Sequence, residues 1–145
     1  MKTLLQLSSL TCLFLFVACS QTVTVSTDLD ADSLDPVQTA IQEVDSGAAI
    51  LIDVREQSEW DAKRLNKAVL VPKSKLDEDL TCIEEVDGVD KTIKIYTHCA
   101  RGARATTIAD ALKEKGYNAI PLKVTFDELV DQGFQLFDES LEPSE

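Results

Sequence analysis

The chain has 145 residues, 44% of them hydrophobic and 28% charged, which is the size and balance of one soluble domain with a sizeable core. Its 26 acidic residues outnumber 14 basic ones, for a formal charge of -12 at pH 7. That excess speaks against any general affinity for nucleic acid or an anionic membrane surface, so an anion site here has to be a local exception.

The first residues, MKTLLQLSSLTCLFLFVACSQ, join one lysine, an apolar-rich run and a small-residue step. Residues 1–18 are expected to be an export signal and not part of the fold, the run being short and interrupted for a membrane span. Phe16-Val17-Ala18-Cys19 resembles the lipobox of bacterial lipoproteins, with Phe16 where that pattern usually has leucine. The resemblance implies that Cys19 becomes a lipidated first residue, placing the protein in the periplasm or cell envelope and touching the membrane only through its lipid. Ser20 after the cysteine is similar to outer-membrane-sorted members in a Gram-negative cell. Cleavage before Gln21, which deletes Cys19, is the alternative. Either cut leaves Cys82 and Cys99 as the thiols of the fold; two isolated cysteines give neither metal-ligand spacing nor a disulfide framework, and no motif implies a cofactor.

Residues 19–32 are polar and rich in Thr, Ser and Asp, as suits a flexible tether with at most one edge strand. The folded domain is expected over residues 33–137, and the acidic stretch 138–145 as a tail. Residues 35–46 carry a helix signature: an Asp cap, Pro36 at the first position, and Val37, Ile41 and Val44 on one face. Residues 48–54, AAILIDV, are apolar up to Asp53, as in a strand covered on both faces. A short helix over 58–63, a strand over 68–71 and a helix opened by Ser74 that carries Leu76, Leu80, Cys82 and Ile83 come next. A strand over 92–97, a helix over 103–115 ended by Gly116, a strand over 119–123 and a helix over 125–132 complete the chain. Strand and helix alternating throughout predict an α/β fold, a parallel sheet with helices on both faces, whose ligands bind beyond the carboxyl ends of the strands.

Three segments stand at such ends: residues 53–56, 72–74 and 98–104. The last reads His98-Cys99-Ala100-Arg101-Gly102-Ala103-Arg104. A cysteine closing a strand and followed by a glycine-containing turn into a helix sits where backbone N–H groups can converge on an anion. Arg101 and Arg104 bring fixed positive charge that favours the thiolate, and Gly102 permits a positive φ. A lone cysteine is more often a packed thiol, which is the reading given to Cys82 among its apolar helical neighbours; Trp60 is likewise read as core or rim packing.

Two motifs give the chain a resemblance to a family. Asp53-Val54-Arg55-Glu56, then Glu59-Trp60 and the run from Ala68 to Pro72, match the DVRxxxEW…A…P segment of rhodanese-like sulfurtransferase domains. Cys99-Ala100-Arg101-Gly102-Ala103-Arg104 matches their C-x-x-G-x-R loop. The resemblance implies an enzyme of the thiosulfate sulfurtransferase type that moves a sulfane sulfur from a small donor anion such as thiosulfate to cyanide or a thiol, through a Cys99 persulfide. Residues 100–104 would bind the substrate, and Asp53, Arg55 and His98 would support the loop. His98-Cys99 is also similar to the H-C-x5-R signature of phosphatases, but that spacing needs an arginine at position 105, where Ala105 stands. A noncatalytic binding module and a phosphatase or arsenate reductase remain as alternatives. The family's Gly-His-Ile and Gly-Ala steps are replaced by Lys63-Arg64-Leu65 and Lys67-Ala68, and its Gly-Gly pair by Val124-Thr125, which is expected to narrow the floor of the site or change what docks there.

Overall fold

The computed structural model describes residues 35–138. The signal segment, Cys19, the tether and all of the acidic tail except Asp138 lie outside the described residues. Along the chain run α1 (Pro36–Asp45), β1 (Ala49–Asp53), α2 (Gln57–Ala62), β2 (Ala68–Leu70), α3 (Lys73–Glu78), a 3-10 turn (Leu80–Glu85), β3 (Lys94–His98), α4 (Ala103–Glu114), β4 (Asn118–Pro121) and α5 (Phe126–Asp131). The four strands form one parallel sheet in the order β2-β1-β3-β4.

Alternation along the strands decides which helices lie on which face. Ile52, Val54, Ile95 and Ala119 pack with Leu76 of α3, Ile83 of the 3-10 turn, and Ile108, Ala109 and Leu112 of α4. Ala49, Leu51, Tyr96 and Leu122 point the other way, to Val37, Ala40 and Val44 of α1 and Phe126 and Leu129 of α5. The expected sheet with helices on both faces is therefore what forms, and β1 is apolar up to Asp53 because both its faces are covered.

Local chemistry moves several boundaries. The single helix expected from Ser74 to Ile83 is broken at Asp79, which is extended (φ -147°, ψ 104°) and accepts from the Thr81 N–H at 2.9 Å, starting a new turn. The strand expected from Thr92 starts at Lys94, because the Asp90 carboxylate takes the N–H groups of Thr92 and Ile93 at 2.6 and 2.9 Å. Helix α2 starts one residue early, at Gln57, with the Glu56 N–H donating to Glu59 Oε2 at 3.1 Å. Lys67, at the first place of the altered Gly-Ala step, holds a positive φ of 62°, which a glycine there would adopt without strain.

The strand order positions the site. From β1 the chain crosses to β2 on one side and then to β3 on the other, so the direction of winding reverses between β1 and β3. Asp53 and His98 are register partners at the carboxyl ends of those two strands. A crevice forms at such a switch point, and the residue after His98 is Cys99.

Candidate active site at Cys99

Cys99 lies at the base of an open cleft of about 330 Å³ lined also by Glu59, Ala100, Arg101, Ala103 and Arg104. Only 1% of the residue is exposed, so a reactant reaches its thiol from one direction. Several carbonyls of the loop and the first turn of α4 are occupied. Ala100 O accepts from Phe126 N at 3.1 Å, Gly102 O accepts from Thr106 N at 2.9 Å, and Ala105 O accepts from Thr97 Oγ1 at 3.0 Å. Among the described residues, no protein acceptor takes the backbone N–H groups of residues 100–105. With these carbonyls bonded within the protein and the N–H groups left free, the turn of backbone at the start of the 12-residue α4 can stabilise an anion.

Gly102 makes that turn possible for two reasons. Its φ is +80°, and a Cβ built on it would lie 2.8 Å from the carbonyl carbon of Lys123. Gly102→Ala is therefore expected to cost about 2–3 kcal/mol, from the left-handed backbone and the displaced Lys123 backbone together, and to open the loop. Urea unfolding at neutral pH measures it; a loss under about 0.5 kcal/mol would contradict the close approach.

The two arginines expected to bring positive charge to the thiol are held differently. Arg104 is bound at both ends: Nη1 donates to Glu59 Oε2 at 2.6 Å and Nη2 to Oε1 at 2.7 Å. Glu59 holds the Arg104 guanidinium above its ordinary value, the neighbouring Cys99 adding a smaller contribution against the lowering from burial. In return the Arg104 hydrogen bonds, opposed by burial and helped by the Glu56 N–H, pull the Glu59 carboxyl down to about 2. Arg101 is exposed and, among the described residues, has no ion-pair partner.

Beneath the loop, Asp53 and Arg55 form a buried pair. Arg55 Nε reaches Asp53 Oδ2 at 2.9 Å and Nη2 reaches it at 2.6 Å, while Nη2 also donates to Lys63 O at 2.8 Å. The guanidinium lies 4.2 Å from the centre of the Phe126 ring, and Phe126 N–H holds Ala100. Asp53 and Arg55 thus brace the loop through Phe126 and do not line the cleft.

His98 is fully buried, and neither ring nitrogen has a hydrogen-bond partner among the described residues. Nε2 lies 3.6 Å from Asp53 Oδ2, beyond hydrogen-bonding distance. Burial, reinforced by Arg55 and opposed by Asp53, lowers its pKa from 6.5 to about 4. Since the folded value lies below the unfolded one, His98 contributes its stability above pH 6.5, and that contribution is lost as pH falls from 6.5 towards 4. The loss is expected to reach at most about 3 kcal/mol, and His98→Asn is expected to flatten it, read by urea unfolding at about pH 7 and about pH 4.5. An unchanged pH slope in the variant would assign the effect elsewhere.

Other expectations resolve by position. Val124 and Thr125 are not among the residues that line the cleft; Thr125 caps α5, its Oγ1 accepting from Glu128 N at 3.2 Å. Trp60 is half-buried with the Arg64 guanidinium 5.4 Å from its ring, and Cys82 sits in the core on the α3 side of the sheet, where burial raises its pKa. Sequence reasoning gave no role to Glu59 or Phe126. The signal for Glu59 was its place in the first motif, but its partner is 45 residues away.

A parallel α/β domain with a cysteine loop at its switch point defines the class, and the comparisons with known proteins give the family. The description "Rhodanese-like domain" matches residues 36–131, and the chain belongs to that family. A rhodanese-related protein from Thermoplasma volcanium superposes with a TM-score of 0.59 at 19% identity, covering 70% of this chain and 93% of its own. A human single-domain sulfurtransferase gives 0.57 at 19% identity over 66% and 92%. A rhodanese-like domain from Anabaena gives 0.58 at 18% identity over 77% and 87%. No curated protein matches the chain.

Proposed function

We propose that the protein is a sulfurtransferase that carries sulfane sulfur as a persulfide on Cys99. The observation that supports this most is the loop itself: a cysteine at the base of a cleft that Arg104 also lines, followed by a turn whose N–H groups at residues 100–105 have no protein acceptor among the described residues. The Cys99 thiolate attacks the outer sulfur of thiosulfate or a similar donor. A bond forms between the two sulfurs, the donor's own sulfur–sulfur bond breaks, and sulfite leaves with its electron pair. Cyanide or a thiolate then attacks the outer persulfide sulfur, giving thiocyanate or an acceptor persulfide and returning the Cys99 thiolate. The loop N–H groups stabilise the negative charge that passes over the persulfide in both steps.

A phosphatase would need its arginine at position 105, but Ala105 is fully buried against the core and the loop is one residue shorter. A binding module has no use for a thiol at the base of a cleft. The discriminating assay sets thiocyanate formation from a sulfane donor and cyanide beside hydrolysis of p-nitrophenyl phosphate. Turnover of the first alone supports sulfur transfer; Cys99-dependent turnover of the ester alone overturns it.

The protein acts in the periplasm or cell envelope, exported by residues 1–18 and anchored by a lipid on Cys19. The support is the lysine, apolar run and Ala18-Cys19 step of the sequence. Labelled palmitate entering the wild type but not Cys19→Ser is the expected result. A soluble mature form beginning at Gln21 would overturn the anchor.

A further inference from the structure

The cleft is built to take an anion, yet it is nearly without net charge. Arg101 and Arg104 are the cations of its lining, and the Glu59 carboxylate, which also lines it, spends its charge on Arg104 through two short hydrogen bonds. Arg55 adds nothing to the balance because Asp53 neutralises it beneath the loop. Once Cys99 is a thiolate, two positive and two negative charges face one another, and the remainder of the molecule is strongly acidic. A second negative charge on the donor therefore has no cation left to meet. A donor with one negative charge can be met by Arg101 and the loop N–H groups.

We infer that Glu59 is a specificity-determining residue, which by occupying Arg104 sets the cleft to prefer sulfane donors with a single negative charge, the alkanethiosulfonate class, over dianionic thiosulfate. The inference rests on the sulfurtransferase reading and names the donor class of the same site. Methanethiosulfonate is the matched probe. Attack by the Cys99 thiolate on its terminal sulfur forms the same persulfide and expels methanesulfinate, one charge less than sulfite, so the two donors differ chiefly in charge.

The experiment compares kcat/KM for methanethiosulfonate and thiosulfate, with cyanide as acceptor, in the wild type, Glu59→Gln and Glu59→Asp. Their ratio cancels any loss of folded or active protein. Gln keeps an acceptor for the Glu56 N–H and for Arg104, and both members of the ion pair are about one-third exposed (30% and 34%), so the α2 cap survives the change. Removing the charge is expected to shift the ratio towards thiosulfate by about three- to sevenfold, the effect of one unit charge on another across about 7 Å of partly screened solvent. Glu59→Asp, which keeps the charge, is expected to hold the wild-type ratio. A ratio unchanged in Glu59→Gln, or shifted as much by Asp as by Gln, assigns Glu59 a purely structural part and overturns the inference. Wild type that turns over neither donor overturns the sulfurtransferase reading, and this inference with it.

Discussion

Cys99→Ser is expected to lower thiocyanate formation by at least about a thousandfold, to the level of the uncatalysed reaction, because the group that accepts the sulfur is gone. A serine hydroxyl stays protonated at neutral pH, and its oxygen does not form the sulfur–sulfur bond the cycle needs. The substitution nearly preserves volume at a site that borders the cleft, so the fold is expected to change by less than about 1.5 kcal/mol. Circular dichroism and urea unfolding of the variant check that point beside the assay. Activity retained above about a tenth would move the chemistry to Cys82, but that thiol is buried in the core and burial makes its thiolate harder to form.

Asp53→Asn is expected to have the largest effect on stability, a loss of about 3–5 kcal/mol. Both members of the Asp53–Arg55 pair are buried, at 0% and 4% exposure, and the pair is drawn together at 2.6 Å. Asparagine keeps the shape and one acceptor oxygen but removes the charge, leaving the buried guanidinium without a counter-ion beside that oxygen, Lys63 O and the face of Phe126. A native domain has only about 5–15 kcal/mol to lose, so the variant is expected to melt many degrees lower and to lose activity through the Phe126–Ala100 contact. Urea unfolding of both proteins measures it. A loss below about 1 kcal/mol would show that the guanidinium finds water once the carboxylate is gone.

The fold was legible wherever burial wrote itself into composition. β1 reads as an apolar run because both faces of the sheet are covered, and α4 reads cleanly because its apolar residues recur at helical spacing up to Gly116. The boundaries that moved were set by single side chains that compete with the backbone. Asp79 breaks a helix that apolar spacing alone carries through, and Asp90 delays β3 by capturing two N–H groups.

In the site, position was legible and electrostatics was not. Cys99 follows a strand and precedes a helix, and that local order was enough to find the loop. That Arg104 is committed to Glu59 depends on α2 folding back over the loop, a tertiary contact no spacing rule contains. The same holds for His98, which local sequence places beside the thiol and packing seals away between Asp53 and Phe126.

The central claim is that Cys99 carries sulfur, and the intact mass of the reduced protein after treatment with a sulfane donor tests it most directly. Thiosulfate and methanethiosulfonate are both used, with Cys99→Ser as control. A gain of one sulfur atom in the wild type, absent from the variant and removed by cyanide, is the predicted result. No gain with either donor, with the Cys99 thiol shown to be free and open to alkylation, would contradict it.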